Sequence, residues 1–234
     1  MNATPRYAVY WAPEPAHALW RAGVEWLGRD PSASAAPALP SPPREAPAAP
    51  RRYGFHATLK APITLRAGAS AQDFLGAVQA LAQRIPRFAM PRLRVDTLGG
   101  FIALRPGEPV EASHALRRLA DACVRSLDDW RAPMDAETLQ RKLQADGLGP
   151  AQQQCVRRWG YAHVFEHWRF HMTLTDTLAH DASGEALCRR LINEATHHFA
   201  AGLAGPVPCG SRCGFVVPPP GAPIVLAQRV PLAA

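Results

Sequence analysis

The sequence lacks the segments that would hold a chain in a membrane or direct its export. No run of about 18 apolar residues occurs among its 234 residues, so no membrane-spanning helix is expected. The first 13 residues contain no basic stretch followed by an apolar one, so no signal peptide is expected. We therefore expect a cytoplasmic protein without membrane contact.

Cysteine is also scarce, with five residues in the chain. The number is odd and the spacing forms no disulfide framework, which favours thiols in a reducing compartment. Cys209 and Cys213 form a C-x-x-x-C pair, but a structural zinc site needs four ligands at tighter spacing. We expect neither a metal nor a cofactor.

Negative charge is in the minority. Lys and Arg number 26 against 19 Asp and Glu, which gives a net charge of +7. A hydrophobic fraction of 47% with 19% charged residues is typical of a globular chain. The positive charge favours anions, so phosphate esters and nucleic acid are both compatible partners. Nucleic acid is the less favoured, because no basic run is interleaved with aromatic residues.

Proline is concentrated in one segment, residues 31–50. Seven of these twenty residues are proline and seven are alanine, so the segment has few groups to bury and few backbone donors. Because patterned segments lie on both sides, we expect an exposed, mobile connection inside one domain. A lid over a site is the alternative interpretation.

Hydrophobic periodicity predicts short strands alternating with helices, which is typical of an α+β fold. The predicted strands cover 6–11, 54–65, 92–98, 101–104, 169–175, 213–217 and 223–230. The predicted helices cover 16–27, 70–82, 116–127, 135–145, 150–159 and 187–199. Because the order of strand, helix, strand and hairpin occurs twice, we expect one bilobal domain with pseudo-repeats at approximately 1–108 and 109–234.

A repeated five-residue motif marks both halves. Residues 55–59 read FHATL and residues 170–174 read FHMTL, with four of five positions identical. Each copy precedes a helix and then a strand near a Gly-Phe pair. The separation from histidine to that phenylalanine is 45 residues in the first copy and 44 in the second. Matched motif, order and spacing together indicate an internal duplication.

Strand alternation separates each motif into two faces. One face is apolar in both copies and suits a core. The other face carries imidazole, hydroxyl and cationic groups: His56, Thr58 and Lys60 in the first copy, and Arg169, His171, Thr173 and Thr175 in the second. If the two lobes pair about a pseudo-twofold axis, both polar faces line one cleft.

These groups suit the hydrolysis of a phosphodiester. One neutral histidine, His56 or His171, can take a proton from water, while the other, protonated, gives one to the leaving alkoxide. Which histidine plays which part is left open. Threonine hydroxyls can donate to the non-bridging oxygens, and Lys60 or Arg169 can offset the negative charge. No metal is needed, and the partner is a small phosphate ester.

Two other interpretations stay open at this stage. A protein that binds a phosphate ester without cleaving it could use the same hydroxyls and cations, although binding does not need a second histidine. Residues 163–167 spell H-x-x-E-H, an inverted zinc-peptidase motif, but too few residues separate Gly160 from the next strand for the helix that this motif needs. We expect His163 and His167 to lie in a turn.

The paired motifs resemble those of the two-histidine (2H) phosphoesterase superfamily, which includes LigT-like RNA ligases and cyclic phosphodiesterases. The segments around the motifs, RYGFHATLKAP, LGGFIALRP and WRFHMTLT, together with WLGRD near the start, are similar to those of a bacterial branch associated with phosphonate metabolism. The resemblance runs over most of the chain outside residues 31–50.

This resemblance implies a bilobal LigT-like α+β fold with two pseudo-symmetric antiparallel sheets, outer helices and a central cleft. It implies that His56 and His171 are catalytic and that Thr58 and Thr173 bind the phosphate. The expected activity is metal-independent hydrolysis of a cyclic phosphodiester of a small sugar phosphate or nucleotide, in connection with phosphonate breakdown. Opening of 2′,3′-cyclic RNA ends is the alternative. The oligomeric state is not indicated.

Overall fold

The computed structural model describes residues 5–32, 48–217 and 224–234. The helices are α1 (Ala18–Leu27), α2 (Ala48–Tyr53), α3 (Ala71–Ala82), α4 (Ala115–Ser126), α5 (Ala136–Leu143), α6 (Pro150–Trp159) and α7 (Ala182–Leu203). The strands are β1 (Arg6–Trp11), β2 (Ala57–Ile63), β3 (Phe88–Ala89), β4 (Leu93–Leu98), β5 (Phe101–Pro106), β6 (Met172–Thr173), β7 (Pro208–Cys209), β8 (Ser211–Val217) and β9 (Val225–Pro231).

Two antiparallel sheets and one short strand pair form the β structure. The larger sheet has the order β2-β1-β8-β9, the second has the order β4-β5-β6, and β3 pairs with β7. Helices pack against these sheets, with α4 on β2, α7 on β4 and α3 on β9. The α+β class with antiparallel sheets is therefore confirmed.

The two halves of the chain exchange strands. A strand that carries the motif, followed by a helix and then a hairpin, occurs first as β2–α3–β4–β5 and again as β6–α7–β8–β9. The larger sheet joins the first motif strand, through β1, to the second hairpin, while the second sheet joins the first hairpin to the second motif strand. A boundary near residue 108 therefore does not separate the sheets, and the sequence halves interlock.

Local capping signals explain where the predicted helices begin and end. Ser70 caps α3 by accepting from the Asp73 backbone N–H, and the Asp73 carboxylate accepts from the Ser70 N–H in return. Pro150 occupies the first turn of α6, and Gly160 ends that helix in the left-handed conformation. These elements follow the sequence prediction closely.

Some elements differ from the sequence prediction. The strand expected over 169–175 has only two ladder residues, Met172 and Thr173, which pair with Leu104 and Ala103 of β5. Helix α2 and the short strands β3 and β7 were not predicted. Within 31–50, positions 33–47 lie outside the described residues, Pro31 is buried, and residues 48–50 already belong to α2.

A single large apolar cluster supports both motifs. Its most deeply buried aromatic side chains are Trp11, Phe55, Phe74 and Phe199. Complete burial of such a side chain contributes roughly 1.5–3 kcal/mol. The phenylalanines that precede the two motif histidines, Phe55 and Phe170, both belong to this cluster. The motif histidines are therefore attached directly to the core.

None of the helices within the described ranges combines the length and the apolar character that crossing a bilayer requires.

Candidate functional site

The two motifs border one cavity of about 460 Å³. His56 and Thr58 line it from the first motif, and His171 and Thr173 line it from the second. The volume lies within the range of about 300–1,000 Å³ that is usual for small-molecule sites. We call this space the histidine cleft. The strand exchange described above brings the two motifs together, because β2 and β6 belong to different sheets.

Both histidines make the same backbone hydrogen bond. Nδ1 of His56 lies 2.9 Å from the Gly54 carbonyl oxygen, and Nδ1 of His171 lies 2.8 Å from the Arg169 carbonyl oxygen. Because a carbonyl oxygen only accepts, each Nδ1 carries the proton. The neutral ring then has its lone pair on Nε2. Each imidazole can therefore act as a base or, once protonated, as an acid through Nε2.

Burial favours the neutral form of both rings. Burial lowers the pKa of His56 to about 4, against the raising effect of the Gly54 hydrogen bond, and the charge of His171 lowers it further. Burial also lowers the pKa of His171, and the charges of His163 and Arg105 act in the same direction. Without a bound anion, both imidazoles are therefore neutral at pH 7.

Aromatic rings lie against both histidines. The Tyr10 ring stacks on His56 with 4.0 Å between ring centroids, and Phe101 lies 5.8 Å from His171 in a tilted arrangement. Burial raises the pKa of the Tyr10 hydroxyl above its usual value, so this ring carries no negative charge near His56. Both aromatic residues line the cleft. Each histidine ring is therefore packed against an aromatic side chain of the cleft wall.

The first histidine is positioned by unusually close packing on its N-terminal side. Phe55 fits against the backbone of α1 at Gly23, where a Cβ would lie 2.0 Å from the phenyl ring. Gly54 adopts a φ of +74°, which L side chains rarely adopt, and its carbonyl orients the His56 ring. Two glycines thus fix the approach of this histidine to the cleft.

Helix α2 closes part of the cleft and connects it to the second motif. Ala49, Pro50 and Tyr53 of this helix line the cavity. The Ala49 backbone N–H donates to the Asp176 carboxylate at 3.1 Å, three residues after the second motif threonine. Sequence reasoning missed these residues, because they follow the Pro/Ala-rich segment and carry no recognisable motif.

The structure also shows where the two threonines are held. Thr58 and Thr173 are half-buried in the cleft, each two positions beyond its histidine. Trp168, just before the second motif, donates from Nε1 to the Thr58 carbonyl oxygen at 2.9 Å. This bond links the first motif to the residue two positions before the second motif begins.

Lys60 does not lie in the cleft, contrary to the alternation predicted from sequence. A β-bulge is the reason. Thr58 of β2 pairs with Tyr10 of β1, and Lys60 pairs with the adjacent Val9, so Leu59 is the extra residue of β2 in this bulge. Leu59 and Lys60 therefore both face the core. The Lys60 ammonium is 3.4 Å from the Asp128 carboxylate and 3.3 Å from the Val124 carbonyl oxygen.

Thr175 and Arg169 are intermediate between the two threonines that line the cleft and Lys60, which lies outside it. Thr175 borders the cleft, but it is buried and its hydroxyl oxygen accepts from the Ile102 N–H at 3.0 Å, which extends the β5 contact. Arg169 is exposed and lines an adjoining cavity of about 430 Å³ that shares Thr58, Phe101 and His171 with the cleft. Its guanidinium donates to the carbonyls of Glu166 and Trp168.

The H-x-x-E-H residues lie in a turn. Residues 165–167 form a single 3₁₀ turn, so His163 and His167 are not placed on the helix that a zinc-peptidase motif needs. Both border the adjoining cavity beside Arg169. Within the described ranges, no three His, Cys, Asp or Glu side chains are grouped to hold a metal ion.

Sequence reasoning also missed one charged residue at the cleft. Arg6, at the start of β1, lines the histidine cleft and a second cavity beside it. The run of apolar and aromatic residues after it predicted the strand correctly. Its contribution to the cleft depends on the central place of β1 between β2 and β8, which the sequence pattern does not give.

Comparison with known proteins identifies a matching family model. The model described as "Protein of unknown function (DUF1045)" matches residues 58–225, which is more than half of the chain. The matched range begins at Thr58 and includes the second motif, while His56 lies just before it.

Two curated bacterial relatives are similar over almost the whole chain, and both are named ribose 1,5-bisphosphate phosphokinase PhnN. The protein of Laribacter hongkongensis (strain HLHK9) is 38% identical over 229 residues, which cover 96% of this chain and 51% of the relative. The protein of Janthinobacterium sp. (strain Marseille) is 38% identical over an aligned length of 237 residues. The match covers 97% of this chain and 50% of that relative. The chain thus spans about half the length of these relatives.

Proposed function

The chain belongs to the family described as a protein of unknown function (DUF1045), and we propose that it is a metal-independent phosphoesterase that hydrolyses a cyclic phosphodiester of a small sugar phosphate or nucleotide. The observation that carries this proposal is the matched pair of histidines in one cleft. Each directs Nδ1 to a backbone carbonyl two residues earlier and so has its titrating lone pair on Nε2.

The proposed reaction needs one proton acceptor and one proton donor. Nε2 of one neutral histidine accepts a proton from water as the water oxygen bonds to phosphorus. One ester P–O bond of the ring breaks, and the other histidine, protonated at Nε2, gives its proton to the departing alkoxide. The products are a phosphate monoester and a hydroxyl on the same molecule, and exchange with solvent restores both histidines.

The anionic substrate itself favours protonation of the histidine that acts as the acid. Both histidines have lowered pKa values, but a phosphodiester anion beside them favours the imidazolium form. Thr58 and Thr173 are proposed to donate to the non-bridging oxygens, whose negative charge grows in the transition state. Thr175 and Arg169 border this region and have a smaller proposed part in binding.

The relatives' name supports a ribose phosphate ester as substrate. Both relatives are named for an activity on ribose 1,5-bisphosphate, and the resemblance of the motifs implies a connection with phosphonate breakdown. A cyclic phosphate of ribose fits both. A phosphokinase with a P-loop needs Gly-Lys-Ser or Gly-Lys-Thr, and neither Lys60 nor Lys142 follows a glycine. We therefore infer that the phosphokinase name refers to the half of the relatives outside this match.

The test is a substrate panel with the purified, EDTA-treated protein. The panel contains ribosyl 1,2-cyclic phosphate, nucleoside 2′,3′-cyclic phosphates and an oligonucleotide with a 2′,3′-cyclic end. We expect turnover of a small cyclic ester that EDTA leaves unchanged. A preference of tenfold or more for the oligonucleotide would instead favour RNA end processing. Ligand binding without turnover of any ester would favour a binding protein.

A further inference from the structure

A second cavity, of about 350 Å³, opens beside the histidine cleft. Its walls are the end of β2, the segment around residues 131–135, α5 and residues 159–164. Arg6 and Pro62 line both this cavity and the histidine cleft. The two spaces are therefore neighbours, and one side chain with a permanent positive charge stands between them.

Positive charge dominates the walls of this second cavity, which we call the basic cavity. Five cationic side chains line it: Arg6, Lys60, Arg131, Arg141 and Lys142. One carboxylate, Asp135, also lines it, but it is the N-cap of α5 and accepts hydrogen bonds from the Thr138 backbone N–H and hydroxyl at 2.6 and 3.0 Å. The cavity therefore has a surplus of positive charge.

Only part of this charge is neutralised by the protein. Asp128 lies 3.4 Å from the Lys60 ammonium and 2.9 Å from the Arg131 guanidinium. By contrast, Arg6, Arg141 and Lys142 have no carboxylate within 4.0 Å in the described part of the chain. Asp135 on the same wall feels the charge of Arg141 without forming an ion pair within 4.0 Å, so these three cations still outnumber the carboxylates around the space. An excess of positive charge around one concave space is the usual arrangement of an anion site.

The contacts of Lys142 show that these cations are close enough to repel one another. Its ammonium donates to the Gly160 carbonyl oxygen at 2.7 Å, which holds it at the cavity wall. Burial lowers its pKa, and the charges of Arg131, Arg6 and Arg141 lower it further. A bound anion would relieve this repulsion, so the cluster of cations favours anion binding.

We propose that the basic cavity binds a second anionic group of the substrate, a phosphate monoester, while the cyclic phosphate is held between the two histidines. This inference rests on the function proposed above and specifies its substrate class: a cyclic phosphodiester that carries a separate terminal phosphate. A phosphate monoester dianion has three oxygens that accept hydrogen bonds. Two guanidinium groups and one ammonium group are opposite to it in charge and equal its accepting oxygens in number.

The first part of the test measures anion binding directly. Inorganic phosphate is titrated calorimetrically into the wild type, Arg141→Gln and Arg157→Gln. Arg157 is an exposed residue of α6 that does not line the basic cavity, so its variant removes the same charge elsewhere. We expect Arg141→Gln to weaken phosphate binding roughly tenfold or more, as for a lost charge-assisted hydrogen bond, and Arg157→Gln to leave it unchanged.

The second part compares each cyclic ester of the panel with its 5-phosphorylated form. We expect the wild type and Arg157→Gln to prefer the phosphorylated form by roughly tenfold or more in kcat/KM, as for a charge-assisted contact. We expect this ratio to fall close to one in Arg141→Gln. Melting temperatures of the three proteins establish that all are folded.

The two parts separate the alternatives. Phosphate binding that is equal in Arg141→Gln and the wild type would overturn the anion site. Weakened phosphate binding without a preference for the phosphorylated ester in the wild type would overturn its assignment to the substrate and identify free phosphate as the ligand. If no ester is turned over but phosphate binding depends on Arg141, the proposed phosphoesterase activity fails while the anion site stands.

Discussion

His56 and His171 present the same ring nitrogen to the same space, because each donates Nδ1–H to the carbonyl oxygen of the residue two positions earlier, at 2.9 and 2.8 Å. A histidine that is only a packing residue has no need of a matched partner in another sheet. This hydrogen-bond pattern allows either histidine to serve as base or acid in the proposed reaction, in which the orientation of the substrate would decide between them.

The pH dependence of the proposed hydrolysis follows from the two histidines. The rate rises with pH as the base loses its proton and falls as the acid loses its proton. Because kcat/KM reports the unliganded enzyme, and both pKa values lie below 6.5 with His56 at about 4, we expect a bell-shaped profile with its maximum below pH 6.5. A nucleoside 2′,3′-cyclic phosphate suits this measurement.

The profile of kcat should differ, because it reports the complex. The bound anion raises the pKa of the neighbouring imidazolium, so the fall in kcat is expected at higher pH than the fall in kcat/KM. A profile that is flat from pH 5 to 9 would contradict catalysis by paired histidines.

The two threonine hydroxyls should matter for turnover and not for folding. We expect Thr58→Val and Thr173→Val each to lower kcat/KM by roughly 10–100-fold, as for the loss of a hydrogen bond to a charged oxygen. Thr97→Val on the exposed face of β4 is the matched control and should retain full activity. Full activity in both cleft variants would remove the threonines from the proposed site.

Asp128 should contribute strongly to stability, because it is the counter-ion of buried Lys60. Burial alone would raise the pKa of Asp128, but the hydrogen bond from Arg131 and the charge of Lys60 outweigh this and lower it. We expect Asp128→Asn to reduce the free energy of unfolding at pH 7 by about 3–5 kcal/mol, as for a broken buried ion pair. Urea denaturation measures this change.

The control for that variant is Asp129→Asn, an exposed neighbour that should change stability little. Because the folded pKa of Asp128 is depressed, its contribution is present above the unfolded pKa of about 3.9 and disappears as the pH falls through the folded value. The difference between the wild type and Asp128→Asn should therefore shrink below about pH 4. A difference that stays constant down to pH 2 would contradict the ion-pair account.

Gly23 should be intolerant of a side chain, because Phe55 occupies that space. A Cβ there would lie 2.0 Å from the phenyl ring, so we expect Gly23→Ala to destabilise the protein by about 1–3 kcal/mol through overpacking. The shift of Phe55 should also lower kcat through its neighbour His56. Gly76→Ala in α3 is the control, since open space surrounds that position, and it should stabilise by about 0.5–1 kcal/mol. Equal effects of the two substitutions would contradict this packing account.

The sequence was sufficient to predict the α+β class and most elements, because the signals involved are local. The capping pair Ser70 and Asp73, the Gly99-Gly100 turn and the Pro150 start of α6 each depend on a few adjacent residues. The buried positions of both motifs were also predictable, because they alternate with the polar ones as in ordinary strands.

The features that the sequence did not reveal depend on distant parts of the chain. The bulge at Leu59, which turns Lys60 toward Asp128, arises where β2 pairs with β1, and period-two alternation has no means of locating it. The exchange of hairpins between the halves is likewise a matter of topology. For the same reason, Arg6 could be predicted as part of a strand but not as a neighbour of the cleft.

The most direct test of the central claim is the turnover of the preferred cyclic ester by His56→Ala, His171→Ala and the variant with both changes. If the two histidines act on one phosphorus as donor and acceptor, each single variant should lose roughly 10²–10⁴-fold in kcat. The double variant should then lose little more than the worse single one, because residues that act as a unit are not additive. A single variant with near wild-type turnover, in a folded protein, would contradict the account.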